Sequence, residues 1–263
     1  MALPVTATLD LKTLSVLSLG ASSLGFKSFV YFFSLGYGAV MTVLGSIALA
    51  LASNKSLAAK LHGAAFVVYG VRLFLFLLRR ETTVEDQRKR IADREEKATL
   101  KSKLSIWVFC GLLYPLMFSP CLYHLKSATP APAGLGSITT FAGLGIMWFG
   151  IVFEAIADQQ KTSFKASPRL AQNGFCDVGV WALSRHANYL GEILVYVGNF
   201  IAGLPFLGLR PVPWICSLIG TAGIVNTMVS ATERLDKQQA EKYGEAAAFK
   251  EYVQVTPKLF PGF

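Results

Sequence analysis

Charge is scarce in this chain: only 16% of its 263 residues are Asp, Glu, Lys or Arg, while 53% are hydrophobic. Acid is scarcer still, with no Asp or Glu anywhere between residues 11 and 80. A mean hydropathy of +0.47 is too high for an ordinary soluble domain. Cysteine and histidine are also in short supply. Cys110, Cys121, Cys176 and Cys216 show no metal-ligand spacing, and with only His62, His124 and His186 beside them no metal site is expected. The first residues lack the basic stretch of a secretory signal, and they carry none of the arginine of a transit peptide. No alternating apolar and polar pattern of barrel strands is present, which leaves helices as the way to satisfy backbone groups in lipid.

What the chain does have is apolar runs of about 20 residues, each long enough to cross a hydrocarbon core of roughly 30 Å. They fall at residues 29–52, 57–78, 104–125, 135–157, 188–209 and 212–232. The expected fold is all-α, a single polytopic membrane bundle of about six transmembrane helices covering residues 1–263. Residues 11–26 are mildly apolar but short and rich in Ser and Gly, and read as an interfacial helix or a poor extra span. Residues 126–134 read as a loop, and 233–252 as a helix outside the membrane. With six spans, residues 79–103, 158–187 and both termini share one side, which carries 20 of the 25 Lys and Arg. The excess of basic residues on cytoplasmic loops then predicts cytoplasmic termini. The net charge of +9 thus reads as topology and attraction to membrane lipids, and no nucleic-acid partner is expected.

Ionisable side chains within apolar spans are costly when they face lipid, so they point to functional positions. In the second span His62, Tyr69, Arg72 and Arg79 are spaced to share a helical face that ends in Arg79 and Arg80. A guanidinium suits phosphate because its planar fork binds two oxygens. Snorkelling explains Arg79 and Arg80 equally well, but Arg72 lies deeper. Glu154, Asp158, Lys161 and Lys165 follow one face at the end of the fourth span, where ordinary surface ion pairing is the simpler reading from spacing alone. The densest polar group opens the fifth span: Arg185 and His186, then Asn188, Glu192, Tyr196 and Asn199 at helical spacing. A carboxylate beside an amide can hydrogen-bond a carboxamide or an adenine amine.

These same residues carry a resemblance. Ala157-Asp158-Gln159-Gln160-Lys161-Thr162-Ser163-Phe164, followed by Gly179-Val180-Trp181-Ala182-Leu183-Ser184-Arg185-His186-Ala187-Asn188-Tyr189-Leu190-Gly191-Glu192, resembles the signature of the steroid 5α-reductase C-terminal-domain family. Tyr69-Gly70-Val71-Arg72-Leu73 and Glu85-Asp86-Gln87-Arg88 are similar to two further family stretches. The resemblance implies an NADPH site open to the cytoplasm. Asp158, Lys165, Asn188 and Glu192 would bind the cofactor, with Arg80 and Arg185 near its phosphates and Arg72, Lys161, His186 and Tyr189 beside them. It also implies that Tyr69 polarises a substrate carbonyl while hydride passes to an activated alkene of a lipid-like substrate. The endoplasmic reticulum is the membrane it implies, with another organelle as the alternative.

Two positions depart from the family pattern. Ala187 stands where a Pro is usual, and no acid between residues 11 and 80 can pair with Tyr69 as a Glu does in the steroid reductases. A second reading is an S-adenosylmethionine-dependent membrane methyltransferase of the isoprenylcysteine or phospholipid type. It would use Arg185, His186, Tyr189 and Gly191 with Glu233, Tyr243, Gly244, Tyr252 and Pro257. A third is a non-catalytic membrane subunit on the same scaffold.

Overall fold

A computed structural model describes residues 10–52, 55–127, 133–167 and 174–260. Residues 128–132 of the connection read at 126–134 lie outside the described residues. Every regular element among the described residues is helical. Helix α1 covers Leu11–Ser22, and short 3₁₀ turns follow at Ser23–Phe26 and Phe29–Phe32. Then come α2 (Leu35–Leu51), α3 (Leu57–Thr83), α4 (Glu85–Glu96), α5 (Leu100–Lys126) and α6 (Leu135–Lys165). A 3₁₀ turn at Gly179–Ala182 leads into α7 (Ala187–Gly203), and another at Leu204–Phe206 precedes α8 (Pro211–Tyr243) and α9 (Ala247–Val255).

Among the described residues six segments are long and apolar enough to cross a membrane: Phe29–Leu51, α3, α5, α6, Ala187–Phe206 and α8. They coincide with the six expected spans, but three of them run on. The 31 residues of α6 and the 33 of α8 extend about 46 and 50 Å at 1.5 Å per residue. Either exceeds a hydrocarbon core of roughly 30 Å. The end of α6 carries Asp158, Lys161 and Lys165 in the excess. The tail differs from its expected form. Residues 233–243 continue α8, and a separate helix forms only after Gly244 and the extended Ala246. Polar composition marked where α8 leaves the apolar layer, not where the helix ends.

The chain forms two compact units, Met1–Leu144 with Asn199–Thr221 and Gly145–Gly198 with Ala222–Phe263. The first is packed through small residues. A Cβ on Gly38, Gly45 or Gly70 would lie 2.5–3.0 Å from atoms of the facing helix in the α2–α3 pair. Helices in lipid lack a hydrophobic drive toward one another, and such backbone contact is what holds them. The buried face of α3 runs through His62, Phe66, Tyr69, Leu73, Leu77 and Glu81. Arg72 is half-buried and Arg79 exposed, so the expected stripe through 62, 69, 72 and 79 is not one face. Over 17 residues at about 100° each, Arg79 has drifted about 100° from His62.

In the second unit α6 and α7 approach through two glycines. A Cβ on Gly150 would lie 2.7 Å from the Val195 nitrogen, and one on Gly191 2.6 Å from the Glu154 Cβ. The loop before α7 packs Trp181 into a core with Ala157, Phe164, Cys176 and Ala187. The tail adds Phe249 and Tyr252 around Phe175.

Candidate functional site

The two halves of the sequence motif are built onto each other in the second unit. Gly179 has φ +61°, and a Cβ there would strike the Gln160 carboxamide at 2.4 Å. That carboxamide accepts the Val180 N–H at 2.9 Å through Oε1. The Trp181 indole donates to the Ala157 carbonyl at 3.0 Å, and Lys161 Nζ sits 4.2 Å from the centre of the Trp181 ring. Buried N–H groups need such acceptors, and a cation over an indole adds about 0.5–2 kcal/mol. Gln160, Gly179 and Trp181 are therefore scaffold. Their work fixes the loop across the last turns of α6, beside Asp158.

The loop then meets the tail. The Arg185 N–H donates to the Pro257 carbonyl at 3.0 Å, and the His186 N–H to that of Lys258 at 3.2 Å. Ser184 Oγ donates to the same Lys258 carbonyl at 3.0 Å, and Tyr252 Oη to the Trp181 carbonyl at 2.6 Å. Asp236 on α8 closes the cluster. Its Oδ1 lies 2.7 Å from His186 Nε2, and its Oδ2 3.2 Å from Arg185 Nη2 and 3.9 Å from Lys258 Nζ. Burial pushes the His186 pKa below its ordinary value, and the hydrogen bond with Asp236 opposes the shift. Sequence reasoning missed Asp236. The available signal was the need of Arg185 and His186 for a counter-charge, and Asp236 is an acid at the polar end of the sixth span.

Among the expected cofactor residues of this unit, Asp158, Arg185, His186 and Glu192 are buried. Lys161, Asn188 and Tyr189 are half-buried, and Lys165 is exposed. The Tyr189 ring stacks on His186 with centroids 6.1 Å apart. The contact of Gly191 with the Glu154 backbone brings the turn that carries Asn188 and Glu192 against the helix that carries Glu154 and Asp158. Acidic and basic side chains and an amide thus occur on adjoining turns. This is a donor set suited to a molecule with phosphates at one end and a carboxamide at the other.

Tyr69, Arg72 and Arg80 belong to the first unit. Arg72 and Arg80 lie 5.5 and 5.7 Å from the centre of the Phe76 ring. Tyr69 is fully buried, and its hydroxyl shares a 3.2 Å hydrogen bond with that of Tyr37. The Tyr37 ring lies against Tyr114, whose hydroxyl donates to the Phe32 carbonyl at 2.7 Å. Tyr37, 32 residues away in sequence, is thus a polar neighbour of Tyr69 in place of an acid from residues 11–80. Asn199 also falls in this unit, apart from the role expected for its helical face. Its amide donates to the Met117 carbonyl at 2.9 Å, so its Oδ1, 2.8 Å from His62 Nε2, must accept from that ring. Neutral His62 then accepts at Nδ1 from His124 Nδ1, 3.0 Å away. These three residues join α3, α5 and α7 as helix glue.

Among the described residues no group of three or more His, Cys, Asp or Glu could hold a metal ion. The molecule is a polytopic helical membrane protein with six apolar segments of spanning length and an ion-paired loop over its fourth. It belongs to the family described as protein of unknown function (DUF1295), which it matches over residues 26–256. No curated protein and no solved structure matches the chain.

Proposed function

We propose that this protein is an NADPH-dependent membrane reductase acting on a C=C bond of a steroid-like or other lipid substrate. The observation that carries the reading is the close approach of α6 and α7 at Gly150 and Gly191, which sets Asp158 and Glu192 on adjoining turns with Lys161 and Asn188. In this reading Asp158 and Glu192 accept hydrogen bonds from ribose and carboxamide, and the Asn188 amide completes the recognition. Lys161, Lys165 and Arg185 offset phosphate charge. The chemistry NADPH supplies when bound is a hydride for the β-carbon of an activated alkene. His186 and Tyr189 hold the loop in place through Asp236 and ring stacking.

The tail bears on the methyltransferase alternative. Tyr252 and Pro257, which that reading needs around its cofactor, are engaged in docking the tail to Trp181 and Arg185. Thermal protection of the purified protein tests the choice. Saturable stabilisation by NADPH and none by S-adenosylmethionine supports the reductase, and the opposite pattern rejects it. Protection by neither favours the non-catalytic subunit. If NADPH binds, Glu192→Gln is expected to weaken it by about 1–3 kcal/mol, the scale for a hydrogen bond to a charged group.

A further inference from the structure

Residues 11–26 carry information that their composition hides. Helix α1 is 12 residues long and the 3₁₀ turn after it four, together about 26 Å at about 1.5 and 2.0 Å per residue. This length lies antiparallel to α5. At one end Asp10, Leu11 and Lys12 line a common cavity with Leu122, Tyr123 and Lys126. Farther along, the Trp107 indole donates to the Leu19 carbonyl at 2.8 Å, and a Cβ on Gly111 would lie 2.3 Å from the Leu19 side chain. At the other end Phe26 packs on Trp107 with centroids 5.4 Å apart, and Lys103 Nζ donates to the Phe26 carbonyl at 3.2 Å. From Tyr123 to Lys103 α5 itself covers about 30 Å at 1.5 Å per residue. The early segment therefore keeps pace with the apolar length of a spanning helix from end to end.

We propose that residues 11–26 cross the membrane beside α5, so that Asp10 lies on the same side as Lys55 and Ser127, opposite the basic segment 84–99. The ends of neighbouring elements agree with this assignment. The Phe29 N–H donates to Glu95 Oε2 at 2.7 Å, next to the basic segment, whereas Lys55 Nζ donates to the Ser127 carbonyl at 2.8 Å on the opposite side. The residues that make the segment look too polar to span are its packing face. Ser18 and Ser22 are fully buried with Leu14, and a Cβ on Gly36 would lie 3.4 Å from the Ser22 Cα. Small residues at such an interface favour close packing in lipid. The charge rule does not oppose the assignment, because Lys12 is the only basic residue it transfers across the membrane.

The inference is independent of the proposed reaction, and labelling of sealed membrane vesicles tests it. A chain lacking its four cysteines would carry one new cysteine at an exposed position: Lys12→Cys, Lys27→Cys, Lys60→Cys or Arg88→Cys. An impermeant maleimide is expected to reach Lys12→Cys and Lys60→Cys from one side, and Lys27→Cys and Arg88→Cys from the other. Reaction of Lys12→Cys from the Arg88→Cys side, or from neither side, overturns the crossing. If the cysteine-free chain does not fold, a protease-cleavable tag ahead of the native chain gives the same reading. Cleavage from the Arg88 side rejects the proposal, and protection from that side supports it.

Discussion

Buried polar groups serve two different ends in the two units of this molecule. In the first, neutral groups satisfy one another: His124, His62, Asn199 and the Met117 carbonyl form one hydrogen-bonded chain. In the second, acidic and basic side chains are buried: Asp158 and Glu192 lie on adjoining helices, and Arg185 and His186 share Asp236. Neutral chains join helices at little electrostatic cost, whereas buried charge is strongly destabilising unless it is paired. The difference teaches that a polar residue in an apolar span can be structural, as Asn199 is through its bonds to His62 and the Met117 carbonyl. Asn199 and Glu192 lie two turns apart on the same helix, yet the first is structural and the second is proposed to bind a cofactor.

Removing a charge from the second unit should produce the largest effect. Asp236→Ala leaves Arg185 and His186 buried without their acid, and the expected loss is about 3–5 kcal/mol in denaturant unfolding of the purified protein. A loss below about 1 kcal/mol would mean that the cluster is not the anchor of the loop. In the first unit His62→Ala should cost less, about 1–3 kcal/mol, by leaving Asn199 Oδ1 and His124 Nδ1 without a partner. Its NADPH affinity is expected to stay unchanged, and a tenfold weakening would blur the distinction drawn between the units. Gln160→Ala removes one side-chain bond to the loop and should lower stability by about 1 kcal/mol, read from the shift in denaturation midpoint.

The smallest effect concerns pH. Glu95 accepts hydrogen bonds from Lys103 and from the Phe29 N–H, which hold its pKa below the ordinary 4.5. A carboxylate of depressed pKa contributes stability that is full above about pH 4.5 and is lost as pH falls through its lowered folded value. A modest drop in melting temperature is expected below that pH, and Glu95→Gln should remove the pH-dependent part. An identical drop in the variant would assign it to other groups.

The spans were legible in the sequence because long apolar runs answer to one dominant force, and their positions needed no tertiary information. The ends of α6 and α8 were not, since a helix that leaves lipid keeps its own backbone hydrogen bonds. The motif from Ala157 to Glu192 was legible as a pattern, but not the division of labour within it. Only the contacts show that Gln160, Gly179 and Trp181 build the loop. Asp236 and Tyr37 escaped notice because their partners lie 50 and 32 residues away in the chain. In residues 11–26 Ser and Gly lower the apparent hydropathy, and only the packing shows that Ser18 and Ser22 are buried.

Equilibrium titration of the purified protein with NADPH is the most direct test of the cofactor site. The wild-type chain should bind saturably, while Glu192→Gln and Asn188→Ala each bind at least about fivefold more weakly, the lower end of the hydrogen-bond scale. His62→Ala serves as the control from the first unit and should match the wild type. Equal affinity across all four proteins, or no saturable binding by any of them, would contradict a cofactor site on α6 and α7.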